Sequence, residues 1–346
     1  MQSALMRAAV SRGRGAIALE RVPRPEPGPG EVRVRIGACG ICGSDLRMFG
    51  AGFFPPGAIP GHEFAGTVDA LGEGVRDLAV GDAVAVEPFR SCGACAACRA
   101  GRDPICREAR LLGVHEAGGL AEFVVAPARR AFRAPAELDF RSAALAEPMA
   151  VVVHGLARGS FAAGQRVLVL GAGSIGLLAV LAARALGARD VWVTARHPHQ
   201  AKLAGSLGAT RVLAEAEADA DALDALGRRD EIDLVVETVG GSAETLRLAG
   251  AALRPGGAIS VLGVFFGSVA LDALPLLLKE VTVAWSYCYA HGDGRADFAD
   301  ALRLIGDERE RLARVLTHAL PLDDVATAFA LAADRRAGVI KVSVIP

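Results

Sequence analysis

The sequence predicts an α/β protein in two parts, a β-rich domain and a doubly wound domain built on a parallel sheet. Two observations predict it. Residues 7 to 133 alternate short strand-like runs with Gly- and Pro-rich turns, the pattern of a small β-rich domain. Residues 165 to 188 then run strand, glycine turn and helix in direct succession. A chain of 346 residues, 52% apolar, is long enough to bury a core in each part.

The strand–turn–helix stretch is the most informative. Arg166 to Leu170 is a β-branched and leucine run suited to a strand buried on both faces. Gly171, Gly173 and Gly176 follow in G-x-G-x-x-G spacing, with Ser174 and Ile175 opening an Ala/Leu-rich helix that stops at Gly187. The first glycine permits the tight turn and the second lets the backbone approach a pyrophosphate. The third lets helix pack on strand, with the phosphates at the helix's positive end. In this context the spacing is a dinucleotide-binding fingerprint of the Rossmann type.

Composition excludes other classes. With 38 Lys and Arg against 39 Asp and Glu, net charge is −1 and the cations are scattered, so no basic face is available to nucleic acid. The first fifteen residues lack an apolar signal core. Outside the Rossmann helix no run approaches the ~18 uncharged apolar residues of a membrane span, so a cytoplasmic protein that binds no membrane is expected. Six of the seven cysteines lie in two tight clusters, which in an intracellular protein suggest metal before disulfide.

In chain order, Pro23 to Glu31 reads as a loop and Val32 to Ile36 as a period-two strand. The run CGICGSD then supplies Cys39, Cys42, Ser44 and Asp45 within seven residues. A lone C-x-x-C is equally a redox or a buried pair. Its partner arrives at His62-Glu63, ahead of a strand-like run from Phe64 to Ala70. A thiolate, an imidazole and a carboxylate leave a coordination position open on zinc, although a core histidine beside a surface glutamate would look the same. Cys92, Cys95, Cys98 and Cys106 then follow as C-x2-C-x2-C-x7-C, matching a closed tetrahedral zinc site; an iron–sulfur cluster is the other possibility. Residues 111 to 127 read as a hairpin turning at Gly118-Gly119. Phe140 to Gly155 reads as a helical connection carrying Glu147, an acid in an apolar setting that needs a metal or hydrogen-bond partner, or an excursion to the surface.

The order CGICGSD, GHE, the four-cysteine loop, EPMAVVVHG and VLVLGAGSIG resembles the zinc-containing medium-chain dehydrogenases over essentially the whole chain, and within them the polyol and threonine dehydrogenase branch. The resemblance implies a GroES-like catalytic domain over residues 1–148, with its structural zinc loop at 91–107, a Rossmann domain over 149–286, and a return to the catalytic domain over 287–346. It implies that Cys42 and His62 ligate a catalytic zinc, with Glu63 and Glu147 as the carboxylates around it. Ser44 is then the hydroxyl that takes the substrate proton and Asp45 the acid that orients His62. Arg47 stands where the liver-type enzymes carry the next histidine of the proton relay. The activity implied is hydride transfer between an alcohol, secondary, polyol or sugar-type, and a nicotinamide cofactor, forming a ketone or aldehyde. Homodimers or homotetramers are usual in the branch. Zinc-free quinone or enoyl reductases, which the two zinc constellations disfavour, and a cofactor-sensing binding protein, in which Cys42, His62 and Ser44 would have no task, are the rival readings.

Cofactor choice is read at the end of the second Rossmann strand, Asp190 to Thr194. An NAD enzyme places an acid next to hold the ribose diol, whereas this chain has Ala195-Arg196-His197. Without the acid a 2′-phosphate is not repelled, and Arg196 offers it a charge-assisted donor. NADP is therefore expected; NAD remains the alternative if Arg196 is only an exposed arginine. Further strands are expected at 231–240 and 258–264, and two amphipathic helices and a closing strand after Tyr287.

Overall fold

A computed structural model describes residues 4–292 and 295–346. The chain divides into two compact units, one of residues 1–147, 290–309 and 316–346, the other of residues 148–289 and 310–315.

In the first unit the strand Glu31–Gly40 is the centre of a mostly antiparallel sheet. It pairs with Glu63–Leu71, with Phe123–Pro127 and, through Ser343 and Val344, with the last strand of the chain, Val342–Ile345. The core under this sheet gathers Val32, Val34, Ile36, Phe64, Val84 and Val344, inward residues of several strands, with Phe329 from the helix Val325–Ala333. The alternation of apolar and polar residues along Glu31–Ile36 is what allows one face to be buried.

The hairpin expected over residues 111–127 does not form. Arg110–Leu111 pairs with Phe89–Arg90, while Phe123–Pro127 pairs with Glu31–Arg35. Gly118 and Gly119 serve instead as close-approach positions. A Cβ on Gly118 would lie 2.2 Å from the Gly61 carbonyl oxygen and one on Gly119 2.7 Å from the Phe64 side chain. Glycines that admit a neighbouring backbone look the same in sequence as glycines that turn a hairpin.

The second unit carries a parallel six-stranded sheet. In chain order its strands are Arg166–Leu170, Asp190–Ala195, Arg211–Ala214, Ile232–Glu237, Leu253–Val261 and Thr282–Trp285. Their spatial order is 3-2-1-4-5-6, the doubly wound arrangement whose order reverses between the first and fourth strands. The strand interiors are runs of buried Val, Leu and Ile, as two covered faces require. Among the described residues no helix is long and apolar enough to cross a membrane.

Candidate active site

The strand Glu31–Gly40 delivers Cys42 and the strand Glu63–Leu71 begins at the residue after His62. Because Gly40 lies opposite Glu63 in the register, the two ends meet. Cys42, His62 and Glu63 bring one ligand atom each within 4.8 Å of one another. Cys42 caps the helix Gly43–Ala51, whose positive end favours an anionic ligand. Its amide donates to Asp45 Oδ2 at 3.0 Å. Cys39 remains inside the strand, wholly buried in the apolar cluster, and burial pushes its thiol well above the ordinary value. The two cysteines of one motif therefore have different environments, and only Cys42 joins the ligand cluster.

Asp45 is fully buried and its Oδ1 lies 3.2 Å from His62 Nδ1. Burial disfavours a charged His62, but the Asp45 carboxylate and the Cys42 sulfur together outweigh it and hold the imidazole pKa well above its ordinary value. With Nδ1 turned to Asp45, Nε2 is left on the other side, where Ser44 Oγ lies 3.5 Å away. That places a hydroxyl, an imidazole and a thiol on one small surface. A ligating His62 sheds its proton, so metal uptake there is proton-coupled.

The carboxylates behave differently from each other. Glu63 is 1% exposed and accepts from Lys341 Nζ at 2.7 and 2.9 Å. Lys341 reaches it because the strand Val342–Ile345 pairs beside Gly40, and it also donates to the Ile41 carbonyl at 3.3 Å. Glu147 is buried too, and burial lifts its carboxyl to about 7, with His62 pulling down and Glu63 pushing up. It stands outside the set of ligand atoms that Cys42, His62 and Glu63 form. Lys341 escaped notice in the sequence; its only signal was a lone cation heading an apolar strand.

Cys92, Cys95, Cys98 and Cys106 form a second cluster, all four sulfurs within 4.8 Å of one another. Their sulfurs lie 3.5 to 3.8 Å apart in the pairs Cys95–Cys98, Cys92–Cys106 and Cys92–Cys98. A tetrahedron with Zn–S near 2.3 Å has edges of about 3.8 Å, so the four thiols fit one zinc ion. The loop is anchored by Asp103, buried within it, which pairs with Arg130 Nη2 at 2.9 Å and accepts from Ser91. Arg130 also donates to the buried Glu87 at 2.6 Å.

In the other unit, the helix Ser174–Ala185 starts directly after the strand Arg166–Leu170, with Gly173 as its N-cap. Gly171 has φ +100°, which disfavours any other residue, and its amide donates to Thr194 Oγ1 at 2.9 Å. A Cβ on Gly176 would lie 1.9 Å from the Gly171 carbonyl oxygen, whereas one on Gly173 would meet nothing within 4 Å. The third glycine thus serves packing, and the second leaves open space at a helix N-terminus, as a pyrophosphate requires. The fourth strand ends at Glu237, whose Oε1 accepts from the amides of Val239 and Gly240 and from Thr245 Oγ1. Glu237 shapes the turn across the switch point, and sequence reading did not single it out.

Ala195 closes the second strand, and Arg196 follows it but is not unengaged. Its Nε and Nη2 donate to Glu215 at 2.8 and 2.6 Å. His197 caps the next helix, and its ring stacks on His199 at 5.5 Å. The guanidinium expected to meet a 2′-phosphate is thus also held by an exposed carboxylate from the neighbouring strand's end.

Comparison with known proteins agrees with the geometry. Residues 28–136 match the family profile of the alcohol dehydrogenase GroES-like domain, and residues 174–307 that of the zinc-binding dehydrogenases. An L-threonine 3-dehydrogenase from Paraburkholderia phymatum is 32% identical over 323 residues, covering 91% of this chain and 92% of that one. A sorbitol dehydrogenase from Bacillus subtilis is 35% identical over 266 residues, 75% of each. Among solved structures, a zinc-binding dehydrogenase from Sinorhizobium meliloti, bound to NADP, superposes with a TM-score of 0.90 at 34% identity, covering 99% of this chain and all of that one.

Proposed function

The chain belongs to the zinc-binding dehydrogenases of the alcohol dehydrogenase family, and we propose that it oxidises a secondary alcohol of the polyol, sugar or hydroxy-amino-acid type to a ketone, with NADP as hydride acceptor. The observation that carries the reading is the meeting of Cys42, His62 and Glu63 within 4.8 Å, with Ser44 Oγ at 3.5 Å from His62 Nε2. When bound, zinc supplies Lewis acidity toward the substrate hydroxyl and NADP supplies the hydride acceptor. Cys42 and His62 would hold the metal. Asp45 faces His62 Nδ1 at 3.2 Å and orients the imidazole through its charge, and the Ser44 hydroxyl would relay the substrate proton, accepting it at Oγ as its own passes on to water. Glu63, restrained by Lys341, and Glu147 would be the carboxylates around the metal. The four thiols of Cys92, Cys95, Cys98 and Cys106 would hold a second, structural zinc.

The glycine turn at 171–176 and the helix end at Ser174 would seat the pyrophosphate, while Arg196 and His197 would face the 2′-phosphate. The NADP-bound relative supports the choice of NADP. A second copy of this chain is the proposed partner. Among the described residues the sheet's last strand, Thr282–Trp285, pairs on one side only, and its Trp285 and Leu274, Leu277 and Leu278 of the preceding helix are each more than half exposed. Clustered thiols kept for metal suit the reducing cytoplasm, which we assign as the compartment.

The test is a panel of polyols, sugar alcohols, simple secondary alcohols and β-hydroxy amino acids assayed with NADP and with NAD, beside metal analysis. Alcohol-dependent NADP reduction by a zinc-loaded enzyme supports the reading. A zinc-loaded protein that reduces neither cofactor with any member of the panel overturns it.

A further inference from the structure

Arg196 and Glu215 occupy equivalent places on neighbouring strands. The strands Asp190–Ala195 and Arg211–Ala214 run parallel with Ala195 opposite Ala214, so the residue after each stands at the same edge of the sheet. That edge, at the carboxyl ends of the strands, is where a dinucleotide's adenine ribose lies in this fold. The contact between them is bidentate, at 2.8 and 2.6 Å, and occupies one fork of the guanidinium.

We propose that Glu215 is a specificity-determining residue for the cofactor, competing with the 2′-phosphate for Arg196 and so restraining the preference for NADP over NAD. The inference rests on the reading that Arg196 meets that phosphate. A dianionic phosphate approaching Arg196 must displace the Glu215 carboxylate from the fork or share the guanidinium with a like charge. Displacement is feasible, because the Arg196 and Glu215 side chains are 66% and 47% exposed and an exposed ion pair is weak. The carboxylate does not leave by protonation, since its hydrogen bonds from Arg196 hold it below the usual carboxylate range. An unphosphorylated ribose makes no such demand, and its hydroxyls find in Glu215 the acceptor that Ala195 cannot supply. The acid missing from the second strand is thus offered by the third, but already paired with the cation that favours the other cofactor.

The test uses the zinc-loaded enzyme and two fragments, 2′,5′-ADP and 5′-AMP, titrated calorimetrically at fixed ionic strength. Four proteins are compared: wild type, Glu215→Gln, Arg196→Ala and the double variant. Both positions are exposed enough that the variants should fold, which melting curves check. Glu215→Gln is expected to tighten 2′,5′-ADP about two- to fivefold while leaving 5′-AMP unchanged or weaker. In the Arg196→Ala background the same substitution should have no effect on 2′,5′-ADP beyond its effect on 5′-AMP. If Arg196→Ala leaves the ratio of the two affinities unaltered, the assignment of Arg196 fails. If Arg196→Ala lowers the ratio but Glu215→Gln does not raise it, competition by Glu215 is wrong while the NADP reading stands. Equal tightening with and without Arg196 would reduce Glu215 to a general charge effect and also overturn the proposal.

Discussion

Lys341 and Glu63 form a buried ion pair at the metal cluster, Nζ lying 2.7 and 2.9 Å from the two carboxylate oxygens with both residues at most 3% exposed. They are 278 residues apart and meet because both strand ends pair beside Gly40. A buried pair adds little over an apolar replacement of both members, but removing one leaves an uncompensated charge. Lys341→Met should therefore destabilise the enzyme by about 3–5 kcal/mol, and adding Glu63→Gln should restore much of it. Thermal unfolding of the two variants checks this; equal melting of wild type and Lys341→Met would show that the pair is not formed in solution.

The four-cysteine loop gives a prediction about stability rather than chemistry. Cys98→Ser removes one of four thiols that meet within 4.8 Å, and a closed site needs all of them. We expect half of the zinc to be lost. A loss of about 3 kcal/mol corresponds to a fall in melting temperature of roughly 6–12 °C. Zinc content and calorimetry decide it, and unchanged melting with loss of the other metal would contradict the assignment.

Cys42→Ser or His62→Ala should abolish turnover and release the other zinc, while NADP binding persists because the glycine turn belongs to the other unit. Cofactor fluorescence titration beside an activity assay measures both. Near-normal turnover in either variant would remove zinc from the mechanism.

Gly173 and Gly176 should respond oppositely to alanine. A Cβ on Gly176 meets the Gly171 carbonyl at 1.9 Å, so Gly176→Ala should destabilise the unit by ~1–3 kcal/mol. Gly173→Ala meets no protein atom and should leave melting nearly unchanged, yet fill the space proposed for the pyrophosphate. Losing a charge-assisted contact worth ~1.5–3 kcal/mol weakens binding about ten- to hundredfold. Melting and cofactor titration separate the two effects, and intact NADP binding by Gly173→Ala would move the pyrophosphate elsewhere.

Glu87 makes stability depend on pH. Burial raises its carboxyl to about 7, with Arg130 pulling down and Asp103 pushing up. A carboxyl whose folded pKa lies above the unfolded value of about 4.3 binds its proton more tightly when folded, so stability falls as pH rises between the two and is level above. The slope is at most about 1.4 kcal/mol per pH unit for one proton. Glu87→Gln keeps a neutral side chain there, so wild type should lose stability relative to this variant from pH 5 to 7. Urea unfolding across that range tests it; parallel curves would mean that Glu87 is ionised throughout.

The sequence alone determined the features that depend on local spacing. A strand, a glycine turn and a helix in unbroken succession are set by short-range sterics and hydrogen bonding, so Gly171, Gly173 and Gly176 could be given separate tasks before any coordinates. The four cysteines within fifteen residues likewise have too short a tether to be far apart. Tertiary structure alone decided what depends on which distant chain segment arrives beside a residue. Cys39 and Cys42 are alike in sequence, yet the strand buries one and the helix start presents the other. Gly118 admits the Gly61 backbone and Gly119 the Phe64 side chain instead of turning a hairpin. Lys341 reaches Glu63, and Glu215 reaches Arg196, only through strand pairing. Electrostatic partnership is a matter of a few ångströms, and a linear sequence specifies such distances only where the chain between two residues is short.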